Sequence, residues 1–390
     1  MSLIDHYQEI LNKEKEDRDN INNVLVLSGG GTGSMFFSMG AIKYLVDHDL
    51  YEQFDTISGV SGATLLMMFL EPCYANGYDK RDDWYNTYVR NVIYQLINER
   101  LLGRTLLAYL NPLNYFKQPA QLLSEITTPL FNNVLKPYNE KMPYYEGKVF
   151  KFNYIDVDTW HISSDHSDLF NLEKGEFSDS WWGKRMMRCC LPFAYSNNKR
   201  SMDAGLIDNN AISNVITEYK FKKILSVTTE TDFLNLDQQK NEATSILQVL
   251  LFAISKVFDW STEPSNILNI HLSTTILRLL KDNGVDIKIM YPEWNENLYS
   301  HPDSIKSKFY NGMLFCDEAI ARITENLGYI QMHRIITGNE DISNITLPNP
   351  EYSNNDIIKS NFNRFENTSN LKYIFNDIIY LIKKSLSNLY

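Results

Sequence analysis

The first uninterrupted hydrophobic run of the chain is VLVL at residues 24–27, and it runs directly into SGGGTGS. A short apolar run closed by glycines is the pattern of a buried strand entering a tight turn. Beyond the turn the period changes. Met35, Met39, Ile42 and Leu45 or Val46 recur at helical spacing, which predicts a helix over 34–46. The same succession then returns: residues 54–57 predict a second short strand, SGVSGAT at 58–64 a second turn, and LLMMFLEP a buried helix that stops near Pro72. Two strand-turn-helix units within 50 residues imply a mostly parallel sheet with helices packed on it, an α/β fold.

Residues 74–147 read as helical and irregular, with Val89, Val92, Ile93, Leu96 and Ile97 on one face, and are expected to form a helical cap inserted into the sheet order. The sheet resumes with the alternating stretch KVFKFNYIDVDTWHIS at 148–163, with FKKILSVTTETD at 221–232 and with DIKIMYP at 286–292. Helices are expected at 244–260 and 312–327, loop over 338–370, and an amphipathic helix at 371–386, while residues 1–20 read as a charged helical arm. The resulting division is an arm at 1–21, a main domain at 22–335 with its cap near 74–147, and a C-terminal loop and helix at 336–390.

Composition narrows the partners. The 390 residues are 44% hydrophobic, enough for a substantial core, and the net charge of −11 opposes binding to nucleic acid because no broad positive field is present. Four cysteines, two of them the adjacent Cys189 and Cys190, do not make a disulfide framework and fit a reducing, cytoplasmic compartment. The polar N-terminus and the short apolar stretch at 249–254 give no expectation of a signal peptide or a membrane span. No metal-ligand spacing is visible, and no cofactor is expected.

The chemistry is concentrated in the two turns. Four of the 17 glycines lie between residues 28 and 34, where successive backbone N–H groups can face one concavity at the start of a helix and hold an anion. The loop alone does not say which anion. Gly33-Ser34 is followed by Met35 and Phe36, without the spacing to the Lys-Ser/Thr pair of a P-loop, and Ser34 stands where a dinucleotide fingerprint needs its third glycine. GGGTGS also resembles the phosphate loop of tubulin-like GTPases. The second turn separates these readings. In GVSGA, Ser61 stands between Gly59 and Gly62 at a strand-to-helix corner, the form of a nucleophile elbow, although a serine there also serves as an ordinary helix cap. Asp203, in SMDAGLIDNN, precedes Ala204 and Gly205, small residues that let a carboxylate approach another backbone.

With SGGG, GVSGA and DAGL in this order, residues 22–235 resemble the patatin-like phospholipases and the related catalytic domains of cytosolic phospholipase A2. WWGKRMMRCCLPFAY before the aspartate and Asn209-Asn210 after it are also similar. The resemblance implies a three-layer α/β fold and hydrolysis of the fatty-acyl ester of a phospholipid or related lipid at a membrane or micelle surface, by a protein that is cytoplasmic or peripheral on membranes. It implies Ser61 as nucleophile, Asp203 as its base, an oxyanion hole of Gly30 and Gly31, and an elbow framed by Gly59 and Gly62. The chain departs from the family pattern in three places. Ala63 and Ala204 replace glycines, and Gly33 stands where the family usually has an arginine that supports phosphate binding or the oxyanion loop. Arg188 and Arg200 are candidates to take over the phosphate, with Lys184 and Arg185 nearby. Three other outcomes stay open: a lipid- or membrane-binding relative without hydrolysis, a tubulin-like GTP-binding protein, and a Ser–acid–His triad using His271, His301 or His333. Asp156, Asp158 and Asp208 read as structural.

Overall fold

Val24, Leu25, Val26 and Leu27 are all fully buried, and they divide by parity between two separate hydrophobic clusters. Leu25 and Leu27 join Ile57, Phe150, Phe152, Leu225 and Val227, while Val24 and Val26 join Ile155, Phe221 and Ile224. A strand whose alternate residues enter two cores is covered on both faces, which is why its sequence is continuously apolar. The computed structural model describes residues 22–75, 77–98, 148–156, 161–166, 199–206, 208–212, 221–229, 279–292 and 318–354, with shorter pieces between them. Its strands are β1 (Asn22–Leu27), β2 (Thr56–Gly59), β3 (Val149–Asp156), β4 (His161–His166), β5 (Tyr195–Ser196), β6 (Lys199–Asp203), β7 (Phe221–Val227) and β8 (Asp286–Met290).

Hydrogen-bonded neighbours run in the order β5-β6-β3-β2-β1-β7-β8, with β4 also paired to β3. The five strands β3-β2-β1-β7-β8 are mutually parallel, and β4 and β6 run antiparallel to β3. The fold is therefore α/β with a central, mostly parallel sheet flanked by helices. The chain leaves β1 for β2 on one side and returns to β7 on the other, so β1 is the point at which the strand order reverses. In open α/β sheets, ligands bind outside the carboxyl ends of the strands at such a point.

Helix α1 (Gly31–Asp47) follows β1, and α2 (Gly62–Ala75) follows β2. Pro72 does not stop α2, contrary to the sequence expectation: the helix continues three residues past it. An interior proline costs about 3 kcal/mol, whereas each fully buried large apolar side chain returns about 1.5–3 kcal/mol. Leu66, Met67, Met68, Phe69 and Leu70 are all in the core, so burial outweighs the lost hydrogen bond. The strand expected at 54–57 begins later, at Thr56, and α1 begins earlier than expected, at Gly31.

A longer difference concerns α4 (Glu318–Thr337), which runs ten residues beyond the expected 312–327. Asn326 and Gly328 look like breakers in sequence. In the fold Gly328 permits the closest approach of α4 to α1, since a Cβ there would collide with the Phe37 carbonyl, and one on Gly40 would collide with the Glu325 carbonyl. The helix ends where Gly338 adopts φ 68° and its N–H reaches Arg334 O at 2.8 Å.

Part of the segment expected as a cap packs directly on the sheet core. Trp84, Tyr85, Val89, Val92, Ile93 and Tyr94 all belong to the same cluster as β1 and β2. Trp84 caps, and the others lie on, a π-helical turn (Tyr85–Arg90) that continues into α3 (Asn91–Asn98). Arg90 anchors it: its guanidinium is paired with the fully buried Glu325 through Nε, and through Nη2 at 2.9 Å. Glu325 also accepts from Tyr94 Oη at 2.8 Å and Asn349 Nδ2 at 2.7 Å. Removing the carboxylate strands a buried cation, so Glu325→Ala is expected to lower unfolding free energy by about 3–5 kcal/mol in a denaturant titration. A loss below about 1 kcal/mol would show that the pair is relaxed in solution.

The expected helices at 1–20 and 244–260 lie outside the described residues, as does most of the one at 371–386. Among the described residues, no helix is long and apolar enough to cross a membrane, and no cluster of side chains suits a metal ion.

Candidate active site

The elbow is built at the end of β2. Asn153 of β3 donates its amide to Ser58 Oγ at 3.0 Å and to Gly59 O at 2.9 Å, which fixes the last turn of the strand. Val60 N–H then crosses to Leu27 O of β1 at 3.3 Å. Ser61 follows with φ 53°, in the left-handed region that side chains other than Asn and Asp seldom enter. The conformation costs about 1–2 kcal/mol, and residue 61 is held there because its neighbours leave no alternative path. A Cβ on Gly62 would collide with the Gly31 carbonyl, and one on Gly59 with Met67 Sδ. The elbow and the glycine loop are thus in contact through bare backbone.

Asp203 arrives from the opposite direction. β4 covers one edge of β3 along Lys151–Asp156. The other edge is shared, with β2 pairing Val149–Phe152 and β6 pairing Tyr154–Asp156. Gly59 ends opposite Phe152 and Asp203 ends opposite Tyr154, so parallel β2 and antiparallel β6 meet head to head. Ser61 and Asp203 lie at that junction. The Asp203 carboxylate hydrogen-bonds the Ser61 side chain and accepts the Gly205 N–H at 2.8 Å. Asp203 is only 7% exposed. Burial pushes its pKa up to about 6, against the opposing pull of the Ser61 and Gly205 hydrogen bonds. It is therefore mostly ionised at neutral pH and still basic enough to accept a proton.

The glycine loop lies beside this pair. Gly30 has φ 128° and Gly31 φ 62°, conformations that disfavour any side chain. Gly31 opens α1, whose first N–H groups have no intrahelical acceptor. Among the described residues neither the Gly30 nor the Gly31 N–H donates to another backbone group. The positive ends of α1 and α2 converge where Gly31 touches Gly62, which favours negative charge beside Ser61.

Residues not assigned a role in the sequence complete the site. Asn209 accepts the Gly29 N–H on its backbone carbonyl at 2.7 Å. Its side-chain oxygen occupies the space that a Cβ on Gly29 would need, and the Cβ position of Gly205 lies 3.1 Å from it. Thr229, just past β7, donates Oγ1 to Gly29 O at 3.0 Å. Ser34 donates its hydroxyl to Ser28 O. The Asn209-Asn210 pair carried a hint through the family resemblance, and Ser28 and Ser34 lie within the quoted glycine loop; Thr229 carried none.

The other candidates separate from the site. His333 lies on α4 with Nδ1 3.3 Å from Tyr44 Oη, and Tyr44 is thirteen residues along α1 from Gly31, roughly 20 Å at the helical rise. It cannot serve Ser61. His271, His301, Arg188, Lys184 and Arg185 lie outside the described residues, and Arg200 is placed by its backbone in β6, three residues before Asp203. Gly33 is helical within α1 and is not among the glycines of positive φ. Asp156 caps the turn after β3 by accepting Asp158 N–H at 2.9 Å, and buried Asp208 accepts Asn210 N–H at 3.2 Å, both local backbone roles.

A search of curated proteins finds no match to this chain. Residues 25–216 match the family model described as patatin-like phospholipase. That stretch holds the glycine loop, the elbow and Asp203. Over residues 25–216 the chain is similar to the patatin-like phospholipases.

Proposed function

We propose that the protein is a serine acylhydrolase that cleaves fatty-acyl esters of lipids with a Ser61–Asp203 dyad. The observation that carries this reading is the hydrogen bond between a serine in a left-handed elbow and a buried carboxylate with a pKa of about 6. Asp203 takes the proton from Ser61 Oγ as that oxygen attacks the ester carbonyl. The N–H groups of Gly30 and Gly31 receive the resulting oxyanion. Collapse expels the alcohol, which takes the proton from Asp203, and leaves the acyl group on Ser61. Water then attacks the acyl-enzyme with Asp203 again as base, releasing the fatty acid and restoring the serine.

A fluorophosphonate probe tests this directly, because it reacts with an activated serine. Labelling is expected at the peptide containing Ser61, at a rate that falls about tenfold per pH unit below the Asp203 pKa of about 6, as the base becomes protonated. Folded protein that stays unlabelled at every pH would favour a lipid-binding relative without hydrolysis.

The absent arginine bears on the substrate. The oxyanion donors are backbone groups, so glycine at position 33 leaves the chemistry in place while removing a side chain that could bind phosphate. Neutral acyl esters are expected to be hydrolysed at least as fast as phospholipids of equal chain length. Gly33→Arg is expected to raise phospholipid turnover selectively, and helical Gly33 can accept that side chain without a positive-φ penalty. A strong wild-type preference for phospholipid would instead assign the phosphate to another cation, with Arg188 or Arg200 the first to replace.

A further inference from the structure

We infer that Thr229 is a positioning residue that aims the oxyanion-stabilising N–H of Gly30, a role that rests on the acylhydrolase reading above. Two hydroxyls converge on the Gly29 carbonyl, Thr229 Oγ1 at 3.0 Å and Ser28 Oγ at 3.2 Å. Ser28 Oγ in turn accepts the Thr229 N–H at 3.0 Å. The Gly29 carbonyl and the Gly30 N–H belong to one peptide unit, which is trans like every peptide bond described. In a planar trans unit these two groups point in opposite directions. Holding the carbonyl against Thr229 therefore turns the Gly30 N–H away from it.

The sheet order gives that direction a destination. Thr229 continues β7 on one side of β1, and Ser61 ends the β2 unit on the other. The N–H turned from Thr229 faces the elbow, and the Cβ position of Gly29 is only 2.9 Å from Ser61 Cβ. The contact with Thr229 also requires the missing side chain of Gly30, because a Cβ at that position would come within 2.8 Å of Thr229 Oγ1. The preceding peptide is clamped in the same manner, by Gly29 N–H to Asn209 O and by Ser34 Oγ to Ser28 O. A freely turning glycine peptide would present either its N–H or its carbonyl to the substrate, and the carbonyl would repel an oxyanion. Thr229 selects between the two.

The test compares wild type, Ser61→Ala, Thr229→Val and Thr229→Ser in hydrolysis of a short-chain ester and in labelling by a fluorophosphonate, with a thermal melt of each. Thr229→Val is expected to lower kcat about 10–100-fold, somewhat less than deletion of an oxyanion donor, with KM changed by less than about twofold. Labelling should slow in parallel. Thr229→Ser, which keeps the hydroxyl, should recover kcat to within about threefold of wild type. A structural role alone would not produce a kcat loss at constant KM that serine reverses. Unchanged kcat in a folded valine variant, or a serine variant as slow as valine, would overturn the inference while labelled wild type and unlabelled Ser61→Ala preserve the acylhydrolase reading. If the valine variant does not fold, Thr229→Ala repeats the comparison. Failure of both to fold would assign Thr229 to the fold and overturn the inference. Wild type inert to ester and probe overturns both readings.

Discussion

Ser61→Ala is expected to reduce ester hydrolysis by about ten-thousand-fold or more, to the background of the assay, without loss of the folded state. The size of the effect follows from the proposed mechanism, in which the hydroxyl at the elbow forms the bond to the acyl group. Fatty-acid release from a short-chain ester measures it. The variant carries its own control: the hydroxyl is one of the two groups that hold Asp203 in its charged form, so its loss raises the Asp203 pKa above about 6. Ser61→Gly should be equally inactive and melt no lower than Ser61→Ala, because glycine accepts the φ of 53° without the strain that alanine retains. Activity undiminished in either variant would remove Ser61 from the chemistry.

Asp203→Asn is expected to lower kcat by about three to four orders of magnitude, as an amide cannot accept the serine proton. Here activity and stability move in opposite directions. The folded-state pKa of Asp203 is raised from 3.8 to about 6, so the folded protein binds its proton more tightly than the unfolded chain does. The stability linked to that proton is present below pH 4 and is lost as pH rises from about 4 through about 6. By the size of the shift the loss is about 3 kcal/mol. The asparagine variant has no such proton, and the difference in unfolding free energy between it and wild type should move in its favour across that window and then level off. An asparagine variant that keeps wild-type activity would require another base for Ser61, and a flat stability difference would mean that Asp203 is more hydrated than its 7% exposure implies.

The primary sequence determined the elements that depend on local pattern. The continuous VLVL of β1 requires a strand covered on both faces, and the glycines after it require backbone conformations that other residues avoid, so strand, loop and helix could be read in order. The elbow was legible only in part: a serine between Gly59 and Gly62 at a strand-to-helix corner also reads as a helix cap, and the contacts of those glycines with Gly31 and Met67 are tertiary. What the pattern misjudged were places where tertiary contact outweighs propensity: α2 runs through Pro72 because its apolar face is fully buried, and α4 runs through Gly328 because that glycine seats it against Phe37. Only the assembled sheet decided the site. Residues 61 and 203 are joined because β2 and β6 share one edge of β3 and meet end to end, a register that no window of sequence contains. The same holds for Thr229, which is an ordinary threonine in sequence and reaches Gly29 only because β7 lies beside β1. Its hydrogen bond spans 200 positions, and contacts at that separation are set by which strands pair and not by any local preference of the residues that make them.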